Sequence, residues 1–173
     1  MRVNHIFKSA TGGAGDFSYR IHLGLIKQSI DSKIYIMNDN HSKRSEKLHF
    51  SNSIPSKVIR YFNRIKLNND ISKYDKKRRE NKILEKFSDI RNQHKVILNK
   101  NIFNCDVLHI HDLAGVIDFK NLIETIPENL PIVWTILDMN PFTGGCHYSH
   151  GCNKFELNCG ACPILCSEDE NDL

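Results

Sequence analysis

The sequence predicts an α/β protein, a doubly wound parallel sheet that carries a long cysteine-rich loop. Three observations lead there. Strand, glycine-loop, helix and strand patterns follow one another within the first forty residues, the opening unit of such a sheet. Beyond residue 100, two apolar strand patterns flank a second helix pattern, and both end in polar residues. Finally, 40% hydrophobic and 25% charged residues suit one globular core, and no apolar run approaches the ~18–20 residues of a membrane-spanning helix.

The elements follow in order. "RVNHIF" (Arg2 to Phe7) alternates as a strand and runs into "KSATGGAGD". In "FSYRIHLGLIKQSI", Phe17, Ile21, Leu25 and Ile30 recur at roughly helical spacing, and "SKIYIMN" reads as the second strand. "CDVLHIHD" (Cys105 to Asp112) reads as a buried strand, "GVIDFKNLIETI" as a helix, and "PIVWTILD" (Pro131 to Asp138) as another strand. Residues 41–100 form a basic insertion, with 17 Lys and Arg against 6 Asp and Glu, whereas residues 101–173 carry 2 against 11. Within it, residues 56–67 (Val58, Phe62, Ile65) and 76–95 (Ile83, Phe87, Ile90) have helical apolar spacing. Residues 1–166 make one domain, with the cysteine-rich loop at 139–166, and the acidic tail 167–173 is expected to fray. The start lacks a signal-peptide core, so a cytoplasmic location is expected.

Candidate functional residues gather at the strand ends. In "TGGAG", Gly12 and Gly13 permit close backbone approach, and the following helix offers free N–H groups. A diphosphate suits that combination. A tight turn that binds nothing explains it equally, because neither a dinucleotide fingerprint nor a Walker loop is present. His109 and His111 alternate on one strand with Asp112 at its exit, and fit either ligand contacts or hydrogen-bonded strand capping. Asp138, at the next strand end, is a candidate base or hydroxyl-orienting group. Cys146, Cys152, Cys159 and Cys162, spaced C-x5-C-x6-C-x2-C, can supply four thiolates to a structural zinc ion. Disulfides and plain packing compete with that assignment. The basic helices are solvated faces or attach to an anionic membrane surface; no nucleic-acid-binding signature accompanies them.

Together, "GGAGDFSYRIHLGLIKQSIDSKI" and "DVLHIHDLAGVIDFKNL" with "LPIVWTILDMNPFTGGCHYSHGCNKFELNCGACPIL" resemble the amino-terminal half of a family 4 (group 1) glycosyltransferase of surface-polysaccharide synthesis. The resemblance covers about half of the chain, at both ends. It implies a Rossmann-like domain, one half of a GT-B fold, and retaining transfer of sugar from a nucleotide-sugar donor to a glycan or lipid-linked acceptor, without a catalytic metal. Gly12 and Gly13 would approach the donor diphosphate, and His109, His111 and Asp112 would lie on the acceptor side. Lipid-linked acceptors would place the chain on the inner face of the membrane. Two departures stand out: Leu137 occupies the position of the family's sugar-contacting histidine, and the chain stops before the donor-binding domain. Without that domain, or a separately encoded one, no transfer is expected. A non-enzymatic remnant, a zinc-stapled binding module, is the alternative.

Overall fold

The computed structural model describes residues 1–38, 46–47, 72–89, 100–115, 117 and 119–172. They form β1 (Arg2–Ser9), α1 (Gly12–Lys27), β2 (Asp31–Asn38), β3 (Glu46–Lys47), α2 (72–80), β4 (Val107–Ile110), α3 (Phe119–Thr125) and β5 (Ile132–Trp134). Short 3-10 turns occupy Lys100–Phe103, Asn140–Phe142, Lys154–Glu156 and Pro163–Leu165.

This is an α/β fold. The strands pair in the order β3-β2-β1-β4-β5, and every pairing is parallel. From β1 the sheet grows one way through β2 and the other way through β4, so the winding reverses between β1 and β4. Ligands bind such sheets outside the carboxyl ends of the strands at that reversal.

Register divides the side chains between two faces. Tyr35, Ile6, Ile110 and Trp134 form one row across four strands. Against this face pack Ile102, Leu113, Leu122 and Phe119, and the Phe119 ring meets Trp134 edge-on at 5.2 Å. The neighbouring row is Ile34, His5, His109 and Val133. Its face is covered over β1 and β2 by α1, where Tyr19 packs on the Phe7, Ile34 and Ile36 cluster. Burial on both faces explains why successive residues of β1 and β2, polar Asn4 and His5 among them, are buried.

Helix α1 is rotated from its apparent apolar stripe. Gly15, Ser18 and His22 are its buried residues, while Phe17 is 43% exposed. The cause is a close approach: a Cβ on Gly15 would lie 2.3 Å from the Ser9 carbonyl oxygen. That contact turns Ser18 and His22 inward, where Ser18 Oγ donates to Ala14 O and His22 Nδ1 pairs with Ser32 Oγ.

Two other expectations change. The predicted helix over 76–95 ends early: α2 covers 72–80, and Lys82, at φ 55°, turns the chain. Its later apolar residues, Ile83 and Phe87, follow as non-helical chain and pack against Cys146, Cys162, Ile164 and Leu165. The helical spacing there reflects one buried side of an irregular segment. The predicted helix at 56–67 lies outside the described residues. The acidic tail does not fray. Asp172 is buried and accepts from the Cys162 N–H at 2.8 Å, and Ala161 N–H donates to Asp169 O at 2.7 Å.

Candidate functional site

At the carboxyl end of β1 the chain enters α1 through Thr11 and Gly12. Gly12 has φ 82°, a conformation that costs glycine little, and no side chain caps the first turn of the helix. Its unpaired N–H groups and partial positive charge therefore stay available. A Cβ on Gly12 or Gly13 would meet nothing within 4 Å. The space beside them is an open cleft of about 310 Å³ lined by Phe7, Lys8, Ser9, Gly12, Gly13 and Asp112, among others. Lys8 adds a cation, and its Nζ donates to Ala114 O at 3.3 Å.

Asp112 joins this cleft to a smaller cavity of about 10 Å³ that His111, Leu137 and Asp138 also line. Gly12 and Gly13 line the open cleft and Asp138 the smaller cavity, and Asp112 is common to both. Asp112 Oδ1 accepts the Ala114 N–H at 3.0 Å, which fixes the carboxylate at the strand exit.

Asp138 is engaged rather than free. Its Oδ1 accepts the Asn140 N–H at 2.9 Å, and its Oδ2 lies 2.5 Å from His147 Nδ1. His147 Nε2 in turn lies 3.0 Å from Ser88 Oγ. This serine–histidine–aspartate relay ties the loop after β5 to residues 83–89. The same join includes Ser88 N–H to Gly145 O at 2.9 Å, the Phe87–Cys146 bridge, and Asn140 Nδ2 donating to Ser88 O and Gly145 O. Gly145 sits against the Phe87 ring, where a Cβ would come within 2.5 Å.

His109 and His111 turn away from the open cleft into the face beneath α1. They are 9% and 1% exposed. His109 Nε2 pairs with Thr135 Oγ1 at 2.7 Å, and His111 Nε2 lies 3.0 Å from Nδ1 of His5, a residue that is wholly buried. Burial pushes His5 and His111 down to about 3, with neighbouring histidines adding to the shift, and lowers His109 and His22. All four rings are neutral at pH 7. Of the three residues assigned to the acceptor side, only Asp112 lines the open cleft.

The cysteine loop closes on itself. Cys146, Cys152, Cys159 and Cys162 line one cavity of about 20 Å³, room for a single ion or water. All four are free thiols. A hydrogen bond from the Cys146 thiol holds Cys162 well below the usual thiol range, and the same pairing with burial raises Cys146. The glycine of "CGAC" serves the tail: a Cβ on Gly160 would lie 2.2 Å from Glu170 O, while Ala161 takes the left-handed φ of 44°. Among the described residues, the group whose ligand atoms gather within 4.8 Å of one another is His5, His109 and His111.

No family model, curated protein or solved structure matches this chain. No described helix is long and apolar enough to cross a membrane.

Sequence reasoning named His147 only as a possible stand-in for a thiolate, and did not single out Lys8, the pairing of Ser88 and Asp138 with His147, or His5 as a neighbour of His109. Ser88 and His147 stand 59 positions apart, and no spacing rule connects them. His5 carried a weak signal, because it shares strand parity with Val3 and Phe7. Only the β1–β4 register, which sets His5 opposite His109, turns that parity into a cluster.

Proposed function

We propose that this chain is the acceptor-side domain of a retaining glycosyltransferase, a Rossmann-like half of a GT-B architecture. The observation that carries this reading is the cleft at the β1–β4 reversal, where an uncapped helix start, bare Gly12 and Gly13, and Lys8 meet the Asp112 carboxylate. The first three suit the diphosphate of a nucleotide-sugar: N–H groups and an ammonium balance its charge. Asp112 suits a sugar or acceptor hydroxyl, which donates to a carboxylate.

On this reading a second domain holds the nucleotide and closes over the cleft. Asp138 acts as a positioning residue, pinning the loop that carries Leu137 into the wall of the adjoining cavity. The four thiols line one ion-sized cavity but do not gather as closely as the three histidines do, so a structural zinc that stiffens this loop would need the loop to close further around it. The basic block places the domain on an anionic membrane surface, where a lipid-linked acceptor lies.

The test is a titration of ¹⁵N-labelled protein with a nucleoside-diphosphate sugar. The Gly12, Gly13 and Ala14 amides shift together, and Lys8→Ala weakens binding about tenfold, the equivalent of one charge-assisted contact of ~1.4 kcal/mol. Unmoved amides at saturating ligand refute the donor-diphosphate assignment. Transfer itself is assayed by donor consumption after adding a nucleotide-sugar-binding domain. A binding module without chemistry is the second reading. Leu137 cannot hydrogen-bond a sugar, and both Asp138 oxygens are already engaged. Glycan binding without donor consumption would select it.

A further inference from the structure

We propose that His5, His109 and His111 form a binding site for a divalent transition-metal ion, zinc foremost, between β1 and β4 beneath α1. The site is separate from the cysteine loop and does not depend on the sugar-transfer reading.

Three features converge. The first is geometry. One ring nitrogen from each histidine lies within 4.8 Å of the others, and His5 Nδ1 and His111 Nε2 are 3.0 Å apart. Imidazole nitrogens that share a tetrahedral zinc ion at about 2.0–2.1 Å sit roughly 3.3–3.4 Å apart, close to the His5–His111 separation, so a ring farther off closes on the ion by side-chain rotation. The placement is built into the sheet: His5 and His109 are register partners on adjacent strands, and His111 follows two residues later on the same side.

The second feature is an unmet hydrogen-bonding demand. His5 Nε2 and His111 Nδ1 are buried without partners. A neutral imidazole has one N–H and one lone pair. If His5 Nδ1 donates to His111 Nε2, a bare lone pair remains on His5 and an orphan N–H on His111. If His111 donates, the two roles exchange. Either tautomer leaves one buried lone pair and one buried N–H unmatched, each costing ~1–3 kcal/mol. An ion between His5 Nδ1 and His111 Nε2 turns both of those lone pairs into ligand bonds and moves the N–H groups to His5 Nε2 and His111 Nδ1, so the unmatched nitrogens mark rings held in a polar pocket and are not themselves the coordinating atoms.

The third feature is support around the rings. His109 Nε2 meets Thr135 Oγ1 at 2.7 Å, so its other nitrogen can face an ion while the hydroxyl fixes the ring, the usual outer-shell device of metal-binding histidines. His22 stands edge-on to His5 at 5.9 Å and is held by Ser32. Imidazoles alone favour zinc, nickel or copper over magnesium or calcium. Three protein ligands leave a fourth position for water or a small anion.

The experiment uses the full chain, stripped with a chelator and labelled with ¹⁵N-histidine. Zinc is added while the ring nitrogens are followed by NMR. The resonances of His5, His109 and His111 move together and stop moving at one equivalent beyond any taken up by thiols, while magnesium moves none of them. In a variant with Cys146, Cys152, Cys159 and Cys162 replaced by serine, one zinc per chain survives gel filtration, and adding His109→Gln removes it. Should the serine variant not fold, the wild-type ring shifts decide alone. Zinc uptake that leaves the three rings unmoved assigns the ion to the cysteines and overturns the proposal, as does the absence of uptake.

Discussion

The contact of Gly15 with β1 gives a prediction whose sign can be worked from distances. Gly15→Ala puts a methyl 2.3 Å from Ser9 O and 2.8 Å from the Ala10 carbonyl carbon, whereas ordinary contact begins near 3.4 Å. Both obstacles are main chain, so α1 must retreat by about 1 Å. Overpacking of this kind costs ~1–3 kcal/mol, and rigid neighbours place it near the upper end. Alanine returns up to ~1 kcal/mol of helix propensity. The net loss is ~2 kcal/mol, or ~4–8 °C in Tm for a chain of this size. Gly13→Ala is the matched control. Its methyl meets nothing within 4 Å, so it stabilises by ~0.5–1 kcal/mol through the unfolded state while intruding on the cleft. Urea unfolding monitored by circular dichroism measures both. Equal stability of the two variants, or a Gly15→Ala protein as stable as wild type, would refute the claim that backbone contact at residue 15 sets the helix position.

Asn140→Ala leaves Ser88 O and Gly145 O without their side-chain donor and is expected to cost ~2 kcal/mol, read as a shifted urea midpoint at unchanged slope. His5 and His111 have folded pKa values of about 3 against 6.5 when unfolded. The unfolded chain therefore binds more protons, and stability is complete above pH 6.5 and falls as pH drops toward 3. Chelator-treated protein should lose a few kcal/mol between pH 7 and pH 5; a flat profile would show that the rings titrate normally. Gly160→Ala pushes the Glu170 carbonyl away, so protease should cut residues 167–172 faster. Adding Asp172→Ala should then change stability by less than it does in wild type, which a double-mutant cycle measures. Binding to vesicles should require anionic lipid and weaken with salt; indifference to lipid charge reduces the basic block to a solvated face.

Local patterns made the sheet legible. The first two strands, the glycine loop and β4 sit where alternation and turn chemistry place them, because those signals act over a few residues, whereas the last strand stops at Trp134 and leaves Ile136, Leu137 and Asp138 in the loop beyond it. The segments that misled have their cause in contacts from elsewhere. Ile83 and Phe87 look helical until Cys146 and Leu165 claim them. Phe17 looks buried until Gly15 rotates the helix. The acidic tail looks free until Gly160 and Cys162 receive it.

By itself, the sequence determined a parallel α/β sheet with its chemistry at the carboxyl ends of the strands, since strand period and helix period are properties of short stretches. Tertiary structure alone decided which polar groups meet. It set His5 against His109 and His111, closed the Ser88–His147–Asp138 relay, and left Gly13 bare beside Lys8. Those choices depend on register and close packing between residues up to 106 positions apart, distances over which no local pattern carries information.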